Sequence, residues 1–214
     1  MAISILYYDK VFKSILCDGL MDLKSVGVAV AVALSVSGCI DREKLMIEAR
    51  ENGVIVYANG FLSDENRKMT SGLAKDLGMA HVSTRKDILE MMKAGENSHY
   101  GNHVAFHSAG SDSAYNFVEW CQQNSIEIRG VYSMEAFTKR RFPNNVGVVI
   151  NYRAPGKWTF GEHESLGGVV NRTQDVAGAE HLNLPWKAEG HIRGEIIGYQ
   201  RDVNFRKVHR RTGK

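Results

Sequence analysis

The sequence predicts an α/β fold, with a mostly parallel sheet that is covered by helices on both faces. Short apolar runs rich in β-branched residues alternate with longer amphipathic stretches, and turn residues separate them. Strands this short, in this alternation, are typical of a parallel sheet buried on both sides. The chain has 214 residues, of which 43% are hydrophobic, so it is long enough for one well-buried core and a single compact domain is expected.

The predicted strands begin after a helix-prone stretch from Asp41 to Glu51 and the turn Asn52-Gly53. Each strand is short and apolar, and turn residues bound it. In chain order they are Val54 to Ala58, Ala80 to Ser83, His103 to Phe106, Ile126 to Tyr132, Val146 to Asn151 and Glu180 to Leu184.

The helices between these strands are predicted from apolar residues at helical spacing and from residues that favour helix ends. Ser63 can cap a helix that Gly78 ends. Thr84 and Asp87 have the spacing of a capping box before a helix that Gly95 ends. Two more helices are expected, one from Ser111 or Asp112 through Cys121 and one from about Ile192 to Phe205.

An apolar run near the N-terminus indicates an export signal. Residues 26–36 read VGVAVAVALSV, which is too short for a permanent membrane anchor and has the length of a signal-peptide core. Ser37 and Gly38 then precede Cys39, and this arrangement resembles the lipobox of bacterial lipoproteins. The resemblance implies that Cys39 is acylated and anchors the protein in the cell envelope, with Ile40 after it favouring the outer membrane of a Gram-negative cell.

These features divide the chain into four segments. Residues 1–38 form the expected signal peptide, with Met21 a candidate for the true translation start. Residues 39–52 are the lipidated tether, 53–205 the folded domain and 206–214 a basic tail. The alternative is a cytoplasmic protein in which residues 26–36 form a buried strand or helix of the fold.

The charged and metal-binding residue types exclude several classes of function. The net charge is +3 with acids and bases spread along the chain, so no nucleic-acid partner is expected. The three cysteines match neither a zinc site nor a disulfide framework, and no glycine-rich phosphate loop is present. His99, His103 and His107 would share a face of a helix, but they fall in and beside a predicted strand. No metal and no cofactor is therefore expected.

The turn FHSAG over residues 106–110 joins a predicted strand to a predicted helix. In a parallel sheet, ligands collect where the strands end, and a helix N-terminus there favours a developing oxyanion. The turn resembles the nucleophile elbow G-x-S-x-G of α/β-hydrolases, although Phe106 stands where that family carries glycine. The resemblance implies that Ser108 is a catalytic nucleophile. Ser111 is the alternative register, and a helix cap without catalysis is the alternative role.

The same resemblance assigns an oxyanion hole. The loop ANGFL over residues 58–62 lies one strand-helix-strand-helix unit before the elbow, where the family carries its second oxyanion amide. The carried-over donors are the backbone amides of Phe61 and Ala109. Gly60 allows the chain to approach closely.

The resemblance also implies a general base and an orienting acid. The family places its histidine between the final strand and the final helix, which makes His191 the candidate base and His181 a strand residue. The acid follows the strand Val146 to Asn151 or the strand before it. Glu135 ranks first, followed by Glu162 and Asp175, and a dyad without an acid stays open.

The function implied by this resemblance is an exported serine hydrolase, similar to esterases and lipases. It would cleave an ester or related acyl bond, in a small molecule or a lipid, through an acyl-serine intermediate. The alternative is a non-catalytic envelope lipoprotein that retains the fold as a binding module.

Overall fold

A computed structural model of the chain describes residues 42–60, 63–82, 88–155, 164–165 and 170–212. The chain divides into two compact units, Met1–Lys44 and Leu45–Lys214, and the second holds the fold described below. The predictions for Cys39, for the apolar run 26–36 and for the start at Met21 lie outside the described residues. Over the ranges given, no helix has both the length and the apolar character needed to cross a bilayer.

Six strands form an all-parallel sheet, and helices connect most of them, so the predicted α/β class is confirmed. The elements in chain order are a helix α1 over residues 42–52, β1 (Val54–Ala58), α2 (Ser63–Leu77), β2 (Ala80–Val82), α3 (Ile88–Gly95), β3 (Asn102–His107), a 3₁₀ turn (Ser108–Gly110), α4 (Ser111–Gln123), β4 (Ile128–Met134), β5 (Arg141–Phe142), β6 (Val146–Arg153), β7 (Glu164–Ser165), β8 (Val170–Asp175) and α5 (Leu184–Thr212). β5 and β7 pair with each other outside the main sheet.

The strand order of the sheet is β2-β1-β3-β4-β6-β8. The chain therefore moves outward from β1 to β2 and then returns to the other side of β1 to add β3 and the strands after it. The reversal falls between β1 and β3. Open parallel sheets commonly bind their ligands beyond the carboxyl ends of the strands at such a point.

Alternate residues of the strands face two separate hydrophobic layers. Val56, Val104 and Val131 belong to the layer under α1, α3 and α4. Ile55 and Tyr132 belong to the layer under α2 and α5. Both faces of the sheet are therefore covered, as the near-continuous apolar character of the central strands requires.

The predicted strand from Glu180 to Leu184 is wrong. Residues 181–183 form a turn, and α5 begins at Leu184. The last strand of the sheet is instead Val170–Asp175, which pairs with β6 alone. This edge strand reads VNRTQD and lacks the apolar run of a buried strand, so its sequence does not distinguish it from a loop.

Both ends of the folded unit extend past the predicted limits of 53–205. Ala49 in α1 is fully buried in the hydrophobic layer. The backbone N–H of His99 donates to the carbonyl of Glu51, and that of Tyr100 to the carbonyl of Asn52. The end of the expected tether is thus part of the fold. At the other end, the α5 backbone continues through Thr212 into the expected basic tail.

His103 is held neutral in the layer under α5. Its Nε2 lies 3.1 Å from the carbonyl oxygen of Tyr100 and its Nδ1 lies 3.0 Å from the hydroxyl of Tyr132. Nε2–H therefore donates to the carbonyl, and Nδ1 accepts from the phenol. Burial, the largest cause, lowers the pKa of His103 to about 3, and burial likewise lowers the pKa of His81 to about 4.

Acid should therefore unfold the protein through these two histidines. Both pKa values are lower in the folded state than the ordinary value of 6.5, so the unfolded chain binds more protons below pH 6.5. Stability should be highest above pH 6.5 and fall by about 1.4 kcal/mol per pH unit for each histidine on acidification toward pH 4. Urea unfolding at several pH values measures this slope.

The test variant is His103→Gln. It should reduce the slope by about one proton, after allowance for its own loss of stability at neutral pH. An unfolding free energy that stays constant from pH 6.5 to 4.5 in the unmodified chain would contradict the prediction.

Candidate active site

Ser108 lies at the sharp turn between β3 and α4. Its backbone has a φ of 56°, which lies in the left-handed region that residues other than glycine rarely adopt. The backbone N–H of Ser111 donates to the carbonyl of Ser108, which closes the 3₁₀ turn. Ser108 is almost fully buried. The residue is thus held in a strained conformation at the N-terminal end of a helix, where Ala109 is the next residue.

Two glycines allow the loop after β1 to lie directly against this turn. A Cβ placed on Gly60 would lie 2.3 Å from the backbone nitrogen of Gly110, and one on Gly110 would lie 2.8 Å from the carbonyl oxygen of Ala58. No larger residue fits at either position without moving the backbone. This is the close approach expected of Gly60. Phe61, the predicted second oxyanion donor, lies outside the described residues.

Phe106 does not occupy the site, although it stands where the elbow motif has glycine. Its ring is fully buried, and its centroid lies 6.3 Å from that of Phe142 in the layer under α4. The ring therefore belongs to the hydrophobic layer on one face of the sheet, while Ser108 lies in the turn beyond the strand. Gly110 leaves room for this packing, because its added Cβ would lie 3.4 Å from the Cβ of Phe106.

Glu135 is placed by the ends of two neighbouring strands. It follows β4 directly and also has a left-handed backbone, with a φ of 45°. Its backbone N–H donates to the carbonyl of Tyr152, and its Oε1 accepts from the backbone N–H of Ala154 at 3.0 Å. The side chain is only 3% exposed. The first contact therefore fixes the Glu135 backbone at the end of β6, and the second fixes its carboxylate.

His181 connects Glu135 to Ser108. Its Nδ1 lies 2.6 Å from Oε2 of Glu135, and its Nε2 lies 3.2 Å from Oγ of Ser108. A carboxylate only accepts hydrogen bonds, so Nδ1 carries the proton and donates it to Glu135. The Nε2 of a neutral imidazole is then an acceptor for the Ser108 hydroxyl. The three side chains form the hydrogen-bond sequence of a nucleophile, a base and an orienting acid.

His181 takes the place that the sequence assigned to His191. His191 is exposed in the second turn of α5, and its Nδ1 lies 2.7 Å from the amide nitrogen of Gln174. The error follows from the final strand: once β8 is that strand, the loop before α5 contains His181. Asn183 ahead of Leu184-Pro185 is a signal for the helix start that would have shown this.

The turn that carries His181 is fixed by Asn183. The Asn183 side-chain oxygen accepts from the backbone N–H of Glu180 at 2.8 Å, and the Asn183 carbonyl accepts from the N–H of Lys187 in α5. The chain is thus tied on both sides of His181. This turn presents the imidazole to the end of β3.

The other predicted site residues have different contacts. Asp175 is paired with Arg153 at 2.8 Å, and both side chains are substantially exposed. Glu162 lies outside the described residues. Ser111, the alternative register, is buried with its Oγ 3.3 Å from the hydroxyl of Thr138. Of the two candidate acids that the structure describes, Glu135 contacts a histidine and Asp175 contacts an arginine.

His107 is a neighbour of the site whose contact with His181 the sequence did not predict. It is 1% exposed, and its ring centroid lies 4.5 Å from that of His181. Ligand atoms from His107, Glu135 and His181 lie within 4.8 Å of one another. His107 is the last residue of β3 and lies far from His181 in the sequence. The spacing of the histidines along the chain therefore gives no sign of this contact.

A cleft of about 390 Å³ opens beside the acid and the base, and its lining includes Glu135, His181 and Leu182. Two large apolar side chains are exposed close to the imidazole: Leu182 is 62% exposed, and Phe137 is 56% exposed with its ring centroid 6.4 Å from that of His181. The described residues that line a second cavity, of about 400 Å³, are Ile88, Asn116, Phe117 and Trp120, and none of these four is titratable. Among the described lining residues, the first cleft is thus the one that holds an acid and a histidine.

Comparison with known proteins does not assign the chain to a family. No protein-family model matches it, and neither the curated proteins nor the solved structures gave a match.

The contact between Gly60 and the elbow can be tested by stability. Gly60→Ala should lower the free energy of unfolding by about 1–3 kcal/mol, because its methyl group would meet the Gly110 backbone. Gly72→Ala is the matched control, since Gly72 lies within α2 and its added Cβ has no neighbour within 4 Å. That variant should be neutral or more stable by up to about 1 kcal/mol. Equal urea midpoints for the two variants would contradict the close approach.

Proposed function

We propose that the protein is a serine hydrolase that cleaves an ester or related acyl bond through an acyl-serine intermediate. The observation that carries this proposal is the continuous hydrogen-bond chain from Ser108 through His181 to the buried Glu135. Its members come from the ends of β3, β4 and the loop after β8. Three residues that are far apart in the sequence are thus joined by consecutive hydrogen bonds. A serine that only capped a helix would not need a histidine and a buried acid beside it.

The order of these residues along the chain supports the proposal. The α/β-hydrolases place their nucleophile in a strand-to-helix turn, their histidine between the last strand and the last helix, and their acid after one of two preceding strands. Ser108, His181 and Glu135 follow β3, β8 and β4 in that manner. The strained φ of Ser108 agrees with the sharp turn that an elbow requires.

The chemistry proceeds in two halves. His181 Nε2 takes the proton of Ser108 as Oγ forms a bond to the acyl carbon, and it returns the proton to the leaving group as that bond breaks. Water then attacks the acyl-serine with the same base. Glu135 holds Nδ1–H and stabilises the imidazolium. The backbone N–H of Ala109, the residue after the nucleophile, would donate to the developing oxyanion.

A fluorophosphonate probe, which reacts covalently with activated serines, tests the proposal. The unmodified domain should be labelled, and Ser108→Ala should abolish the labelling. His181→Gln should slow it by at least about 1,000-fold and Glu135→Gln by at least about 100-fold, because they remove the base and its orienting group. Mass spectrometry of the labelled peptide identifies the modified residue.

Two variants serve as controls. His191→Gln removes the histidine that the sequence favoured and should leave labelling unchanged, and Ser111→Ala removes the neighbouring buried serine without removing Ser108. Absence of labelling in a folded domain, or labelling that survives Ser108→Ala, would refute the hydrolase and favour a binding module on the same fold.

We also propose that the domain is a lipoprotein anchored through Cys39. The support is the sequence itself: an apolar run of signal-peptide length that ends in Ser37-Gly38-Cys39. Acylation would place an acyl-bond hydrolase at a membrane surface.

The mass of the mature protein tests this anchor. Expression in a Gram-negative host should give a protein that begins at Cys39 and carries added acyl mass, and Cys39→Ala should remove that mass. An N-terminus at an unmodified Met1 would rule the anchor out.

A further inference from the structure

The mechanism uses Glu135 and His181 but gives no role to His107. This histidine is 1% exposed at the end of β3, and its ring packs on that of His181 at 4.5 Å between centroids and 39° between planes. A second imidazole is therefore buried directly beside the proposed base.

Two imidazoles and a carboxylate are a ligand set that zinc uses, with a fourth position left for water or substrate. One ligand atom from each of His107, Glu135 and His181 lies within 4.8 Å of the others. Ligand atoms around tetrahedral zinc are separated by about 3.3 Å at bond lengths of about 2.0–2.1 Å. Side-chain movements of up to about 1.5 Å would therefore bring the ligand atoms to the spacing around an ion.

The three ligands come from separate elements that the sheet already holds in place. His107 ends β3, Glu135 follows β4 and is fixed by the N–H of Ala154, and His181 lies in the turn that Asn183 ties down. A prepared site of this kind avoids much of the ordering cost that flexible surface ligands have. Within the described part of the chain, this is the group of three His, Cys, Asp or Glu side chains whose ligand atoms lie close enough together to hold a metal ion.

We propose that His107, Glu135 and His181 bind a zinc-like divalent ion and that the bound ion switches off Ser108. The binding part stands on the cluster alone, whereas the switch rests on the proposed hydrolase function. Either nitrogen of His181 gives the same result. An ion on Nε2 displaces the Ser108 hydroxyl, and an ion on Nδ1 leaves the proton on Nε2, which then cannot accept the proton of Ser108.

Zinc titration of the EDTA-treated domain tests the binding part. One zinc ion should bind per chain, and cobalt substitution should give the visible absorption of a tetrahedral centre. His107→Gln and Glu135→Gln should each weaken binding at least tenfold, while Ser108→Ala and the exposed His191→Gln should bind as the unmodified domain does. Failure of the unmodified domain to bind zinc overturns the site whether or not the variants fold.

Fluorophosphonate labelling with saturating zinc or with EDTA tests the switch. In the unmodified domain, zinc should slow labelling at least tenfold. In His107→Gln, the ratio of the rates with and without zinc should stay near one, each variant being compared with its own EDTA rate.

The outcomes separate the two proposals. Labelling in EDTA without zinc binding overturns the metal site and supports the hydrolase. Zinc binding without labelling in either condition overturns the hydrolase and the switch while the site stands. Zinc bound at this cluster with unchanged labelling overturns the switch alone.

Discussion

The parallel pairing of the central strands is the constraint on which the site depends. β3, β4, β6 and β8 run in the same direction, so their carboxyl ends lie at one edge of the sheet. Ser108 and Glu135 each follow one of these strands directly, and the N–H of Ala154 after β6 holds the carboxylate. Backbone pairing buried between two hydrophobic layers thus determines where the polar side chains meet. A shift of one residue in any of these pairs would turn its side chains to the other face.

The local strain in the site is supported by this rigid frame. Ser108 and Glu135 both have left-handed backbones, which cost on the order of 1 kcal/mol or more at residues other than glycine. Ser125 has a similar φ, but it follows α4, where helices commonly end in this conformation. Ser108 and Glu135 differ from Ser125, because each directly follows a strand and its side chain belongs to the hydrogen-bond chain. The close approach of Gly60 to the Gly110 backbone further fixes the turn that carries Ser108.

The sequence predicted the fold class and the central strands because those features have local signals, whereas the resemblance to the α/β-hydrolases pointed to Ser108 and Glu135. Val54–Ala58 is a buried apolar run with turns at both ends, and Ser108 stands in a turn of small residues. The polar edge strand β8 has no such signal, and its omission moved the expected base from His181 to His191. The contact of His107 with His181 depends on the distance in space between the end of β3 and the turn before α5, which spacing along the chain does not show. Phe106 shows the reverse case, since its departure from the motif is absorbed by core packing with Phe142.

The proposed catalysis and the proposed metal binding make opposite demands on the same imidazole. As a base, His181 needs Nδ1–H on Glu135 and a free lone pair on Nε2 toward Ser108, and the observed distances of 2.6 and 3.2 Å fit that state. As a ligand, it must give one of those two nitrogens to the ion. The proposed catalytic step does not use His107, whereas the proposed ion would take it as a third ligand. Replacing His107 would therefore weaken ion binding while the proposed nucleophile, base and acid stay in place, and this separates the two proposals.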